Sequence, residues 1–216
     1  MKPTSAQRTA MVVAVAFLTG AVGFILGASR AEPYRPPRSS VDVGFLMDMD
    51  VHHQQAIQLS LLELRHGEDA TIKGFASDIH YFQAYEIGLM ERQLALWGTS
   101  LQDAPKKAMK WMGNAVAPDA MPGLASAEEM EAMGNARGGD ADALFVRLMQ
   151  DHHRGGIAMA EYAVANARTS FVRDLAGRMA RVQTLEIREM EGVLKRSGLS
   201  LSPEGWTPGP FPKHHG

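Results

Sequence analysis

Apolar positions recur at helical spacing over most of the chain. Counted at about 100° per residue from Met49, the residues Phe45, His52, His53, Ala56 and Ser60 share one face of the stretch 42–66. Ala76, Ile79, Gln83, Glu86, Ile87, Met90 and Leu94 share a face of the stretch that follows. Gly67 stops the first helix, Asp69 stands where a cap for the second is needed, and Gly98 ends that helix just after Trp97. Farther on, Asp140 is the expected cap of a helix running to about Ala167. Thr169 or Ser170 should cap a last one that reaches Ser197 before Gly198. At 1.5 Å per residue these helices are roughly 40 Å long.

The second pair repeats the first. Laying residues 45–98 over 145–198, without a gap, matches 13 of 54 positions at an offset of 100. The matches include Phe45/Phe145, Met49/Met149, His52/His152, His53/His153, Gln83/Gln183, Glu86/Glu186, Met90/Met190 and Glu91/Glu191. Most lie on the predicted inner faces, with Glu91 at an edge. Two copies are too few for a solenoid, which needs at least three repeats. The expected fold is therefore all-α, a four-helix bundle spanning 41–198, made of hairpins 42–98 and 140–198.

Between the hairpins, residues 99–139 hold Pro105, Pro118 and Pro122, which forbid a single long helix. Ser126-x-x-Glu129 is a capping box for a short helix near 127–136, with Gly138-Gly139 to end it. Residues 199–216 carry four prolines and finish in His214-His215-Gly216, a loose tail with a weak metal-binding pair. At the other end, residues 1–10 precede an uncharged run at 11–28, long enough to cross a bilayer. Ser29-Arg30-Ala31 also suits a cleavage site, so both an uncleaved single-pass anchor and a removed signal remain open. Either sends the domain out of the cytoplasm, beyond a Pro-rich tether at 29–40.

Composition narrows the chemistry. A net charge of -2 gives no general attraction to nucleic acid, and none is expected as a partner. The chain has no cysteine, which removes disulfides, thiolate metal sites and cysteine nucleophiles together. It has 14 Met and 8 His, so thioether and imidazole are its softer metal ligands. Single methionines fill core gaps well. Two His-His pairs, each with a Met one turn before it, are harder to assign to packing, because burying four imidazoles without a task is costly.

The candidate metal ligands are Met49, His52, His53, Glu86 and Met90 with Met149, His152, His153, Glu186 and Met190. If the hairpins pack face to face, the two sets meet near a pseudo-two-fold axis. Copper is the expected ion: thioethers favour Cu(I), while the imidazoles also accept Cu(II) or Zn. Glu86 and Glu186 have a second reading, as groups that orient imidazoles rather than bind metal. Glu63-x-x-His66 has the spacing of a carboxylate-bridged di-iron motif. Its repeat counterparts are Ala163 and Asn166, so it reads as accidental and solvent-facing.

MDMDVHHQQAIQLS and VRLMQDHHRGGIAMAEYA resemble the Met-x-x-His-His-x-x-x-Ile core of a bacterial family known as domain of unknown function 305. The stretch MPGLASAEEMEAM at 121–133 resembles the segment before that family's second core. The resemblance implies a ferritin-like four-helix fold and, for some members, copper binding and copper tolerance outside the cytoplasm. It implies no enzymatic activity. It carries over Met49, His52, His53, Met149, His152 and His153, whereas Glu86, Met90, Glu186 and Met190 rest on the repeat. The first core has Gln54-Gln55-Ala56 where the second has Arg154-Gly155-Gly156, which puts the equivalence of the two half-sites in doubt.

The expected function is copper sequestration or trafficking, with a copper donor or acceptor protein as a further partner and the membrane as a partner of the N-terminal segment. No catalytic residue is expected. The alternatives are a ferritin-like di-metal oxidase, for which the inner faces offer too few carboxylates, and a metal-free interaction module.

Overall fold

The computed structural model describes residues 34–197 together with Phe17 and Thr19. The run at 11–28, apart from those two residues, and the tail at 199–216 with His214 and His215 lie outside the described residues. Among the described residues no helix is long and apolar enough to cross a membrane.

The described chain is all-helical, with no strand. Four long helices, α1 (Val41–His66), α2 (Ala70–Leu96), α4 (Gly139–Asn166) and α5 (Ser170–Ser197), are joined by a connector that contains the short α3 (Ala127–Asn135). Helices α1 and α2 pack as one hairpin and α4 and α5 as the other, and α1 also lies against α4 and α2 against α5.

The expected signals act at most helix ends. Asp69 accepts from Thr71 and Ile72 N–H at the start of α2. Gly98, at φ 70°, allows the tight C-terminal turn after α2 in which Thr99 N–H reaches the Leu94 carbonyl. The Ser126/Glu129 capping box starts α3. Asp140 is not a cap: α4 begins at Gly139, and its cap position, Gly138, has φ 58°, which suits glycine. Gly138-Gly139 does not end α3 either, because that helix closes earlier, with Ala136 N–H bonded to the Ala132 carbonyl.

Two aspartates at the same repeat position set how the hairpins cross. Asp142 accepts from Glu68 and Asp69 N–H, each at 3.1 Å, at the start of α2. Asp42 accepts from Arg168 N–H at 2.9 Å and Thr169 N–H at 2.8 Å, at the start of α5. The first turn of each hairpin thus ties down the turn between the other hairpin's helices, which makes α1 and α4 antiparallel.

This crossing divides the interior into three layers. One apolar cluster joins Phe45, Met49, Met90 and Leu94 to Met159, Leu175 and Met179. The other joins Ala56, Ile72 and Ile79 to Phe145, Met149 and Met190. Between these two sets every long helix turns polar side chains inward: His52 and His53, Gln83 and Glu86, His152 and His153, Gln183 and Glu186. A polar layer therefore crosses the middle of the bundle.

Candidate metal centre

All four histidines of the layer are fully buried. The rings of His52 and His152 stack across the crossing point, with centroids 3.8 Å apart and planes tilted by 40°. Residues 100 apart in sequence thus become direct neighbours, as the repeat predicts.

Every imidazole donates through Nε2. His52 donates to the Pro122 carbonyl at 3.1 Å, and His152 to the His52 carbonyl at 2.9 Å. His53 donates to Glu86 Oε2 at 2.9 Å and His153 to Glu186 Oε2 at 2.8 Å. These partners are acceptors, so each ring carries a proton on Nε2, and in a neutral ring that leaves Nδ1 as the lone-pair nitrogen. None of the four Nδ1 atoms has a hydrogen-bond partner. An unsatisfied buried acceptor costs roughly 1–3 kcal/mol. Four in one layer are a cost that packing alone does not explain.

Burial, reinforced by neighbouring imidazoles, pushes His52 down to about 3 and His152 well below the usual imidazole range. Both rings are neutral at physiological pH, the state in which imidazole binds a metal. Glu86 and Glu186 occupy the orienting position behind His53 and His153, so each carboxylate is bonded to a ring rather than standing apart from it.

The methionines are also fully buried, but they do not form a single group. Met49 and Met90 belong to one apolar cluster, and Met149 and Met190 to the other. The four methionines thus divide between the two apolar clusters that flank the histidine layer. Among the described residues, no three His, Asp or Glu side chains are grouped closely enough to chelate an ion as they stand.

Several contributors were not visible in sequence. Glu63 is not solvent-facing: it is fully buried, beneath the turn at Gly67 and beside Asp142. Burial, together with Asp142, raises its carboxyl to about 8. Asp50 is fully buried as well, with Gln54 as its partner and Oδ2 unpaired. Burial raises it.

The connector covers one side of the layer. Gln55 clamps it by donating to the Ala125 carbonyl at 2.9 Å and accepting from Ala125 N–H at 2.7 Å. A Cβ on Gly155 would stand 1.9 Å from the Pro122 carbonyl oxygen, and one on Gly156 would stand 2.5 Å from Gln183 Oε1. The glycines of the second core therefore make room for the connector and for Gln183. The two cores therefore differ in what packs against them.

A model of the domain of unknown function family DUF305 matches residues 42–194. Among solved structures, a DUF305 protein of Streptomyces coelicolor, described as secreted, is 34% identical, with 79% of this chain and 100% of that one covered and a TM-score of 0.71. A DUF305 fragment from Deinococcus radiodurans is 31% identical, with 76% and 99% covered and a TM-score of 0.64. CopM in its Cu(I)-bound form is 25% identical, with 72% and 96% covered and a TM-score of 0.56. Among curated proteins none matches.

Proposed function

The chain belongs to the DUF305 family, and from that premise we propose that it is a copper-binding protein acting outside the cytoplasm, which sequesters Cu(I) or hands it on. The observation that carries this reading is the set of four buried imidazoles whose Nδ1 atoms have no hydrogen-bond partner. A soft cation satisfies those lone pairs where no protein donor does. His52, His53, His152 and His153 supply nitrogen, and Met49, Met90, Met149 and Met190 supply thioether sulfur from either side, a combination that favours Cu(I) over harder ions. Glu86 and Glu186 hold two of the rings and balance part of the ion's charge. The Cu(I) bound by CopM supports the choice of metal. The uncharged run at 11–28 and the relative described as secreted support the compartment.

Competitive titration of the purified protein with Cu(I) and with Zn tests this reading. Replacing Met49, Met90, Met149 and Met190 by Leu nearly conserves volume, so the fold should survive at about 1.5 kcal/mol or less per position. Cu(I) binding should weaken strongly and Zn binding less. Replacing the four histidines by Ala should weaken both. A methionine variant that holds Cu(I) as tightly as the parent would show the thioethers to be packing groups and would remove the case for copper.

A further inference from the structure

The polar layer is sealed on one side of the bundle and open on the other. On the α1–α4 side the connector is pinned by Gln55 and by the His52–Pro122 bond, and it meets Gly155 too closely to admit even a methyl group. On the α2–α5 side a groove of about 370 Å³ opens between the helices. Its walls include Phe82, Tyr85 and Val182, all exposed. Polar groups also line it: Gln83, Glu86, Gln183 and Glu186, with Arg178 as the one cationic side chain among the lining residues. The two glutamines are 4% and 3% exposed, yet Gln83 Oε1 and both amide atoms of Gln183 have no hydrogen-bond partner. The two glutamate side chains are 18% and 15% exposed, and each holds the Nε2 of a fully buried histidine.

We propose that this groove is the port through which a monovalent cation reaches the imidazoles, with Gln83, Glu86, Gln183 and Glu186 as its first protein ligands. The proposal rests on the copper-binding reading above and adds the route. Amide and carboxylate oxygens replace the water that an arriving ion sheds, and the unpaired glutamine oxygens are available for that exchange. Oxygen donors hold a soft cation weakly, so they pass it on rather than trap it. Glu86 and Glu186 outnumber the single Arg178 in the groove, and beside apolar walls their attraction for a cation is screened less than it would be in water. An ion on Glu86 or Glu186 is one residue away from His53 or His153.

The test is the rate of Cu(I) loading from a defined Cu(I)–chelator complex, followed by stopped flow, alongside the equilibrium affinity from competition. Val182→Trp narrows the groove without touching the polar layer. It should slow loading roughly tenfold or more while the equilibrium affinity stays unchanged. The double variant Gln83→Leu/Gln183→Leu removes the lining amides and should slow loading as well, which covers the case in which the Trp variant does not fold. Gln55→Ala frees the connector and should load at the parent rate. Parent-like loading in both groove variants, or faster loading in Gln55→Ala, overturns the port. A parent protein with no Cu(I) affinity overturns the copper reading itself and the port with it, whereas tight binding at equal rates in every variant overturns the port alone.

Discussion

Titrating the metal-free protein across pH 5 to 8 should reveal a stability maximum near pH 6.5, with loss on both sides. His52 has a folded value of about 3 against 6.5 when free, and His152 is also well below 6.5. Below pH 6.5 the unfolded chain takes up protons that these buried rings refuse. Their contribution is therefore complete above 6.5 and is lost as pH falls. Each such group contributes a slope of about 1.4 kcal/mol per pH unit, so the pair gives about 2.7. Glu63 acts in the opposite sense. Its folded value of about 8 lies above the free value of 4.5, so the folded state keeps a proton that the unfolded chain has released. Its contribution is complete below 4.5 and is lost as pH rises towards 8, at about 1.4 kcal/mol per pH unit. Between pH 6.5 and 5 the net effect is a loss of about 1.4 kcal/mol per unit on acidification. Between 6.5 and 8, Glu63 alone gives a loss of similar slope on alkalinisation. Asp48, Asp50 and Asp151, also raised by burial, add to the sense of Glu63 near the acid end and flatten that limb. Urea unfolding in the presence of a chelator, at half-unit pH steps, measures both limbs. Glu63→Gln should flatten the alkaline limb and steepen the acid one towards about 2.7 kcal/mol per unit. A parent protein equally stable at pH 5 and 6.5 would refute the burial of neutral imidazoles. An alkaline limb that survives Glu63→Gln would refute the assignment to Glu63.

The crossing aspartates give a second prediction: Asp42→Ala should cost about 1–3 kcal/mol in urea unfolding, because Arg168 and Thr169 N–H lose a charged acceptor at the start of α5. Asp142→Asn removes the charge beside Glu63 and should shrink the alkaline limb without abolishing it. Two glycines give a paired prediction in thermal unfolding. Gly155→Ala should destabilise, since its Cβ would meet the Pro122 carbonyl at 1.9 Å, whereas Gly74→Ala meets nothing within 4 Å and should stabilise by about 0.5–1 kcal/mol.

Helical phase and the repeat made the histidine layer legible, because a fixed offset places His52 beside His152 whenever two like hairpins cross at their midpoints. The same offset relates Asp42 to Asp142, but that pair lies three residues before the aligned stretch begins at Phe45. Glu63 was misread for a different reason. At 100° per residue it lies about 40° from Met49, well inside the inward arc. Its carboxylate and its counterpart Ala163 argued for solvent, and the desolvation cost that this implied is offset by protonation at neutral pH. Phase also placed the four methionines inward, but it does not encode which cluster each one joins. That depends on the antiparallel crossing, which carries Met149 alongside Ile72 and Ile79 rather than alongside Met49.

The connector was the least legible part, for a reason that bears on the site. Its three 3-10 turns at 101–103, 110–112 and 118–120 have no repeating apolar period to follow, and although Trp111 packs on Phe45 and Tyr162, the connector's hydrogen bonds beside the histidine layer come from backbone groups. The Pro122 carbonyl on His52, and Ala125 N–H and carbonyl on Gln55, leave no trace in residue type on the connector side. The trace is instead in the bundle, where Gln55 stands opposite Gly155 in the repeat. One copy keeps a side chain able to bind backbone, and the other gives up its side chain so that backbone can approach. A duplicated sequence alone would build two equivalent half-sites open on both sides. A single connector laid across the α1–α4 side has to break that symmetry, and in doing so it leaves the α2–α5 side as the open face of the layer.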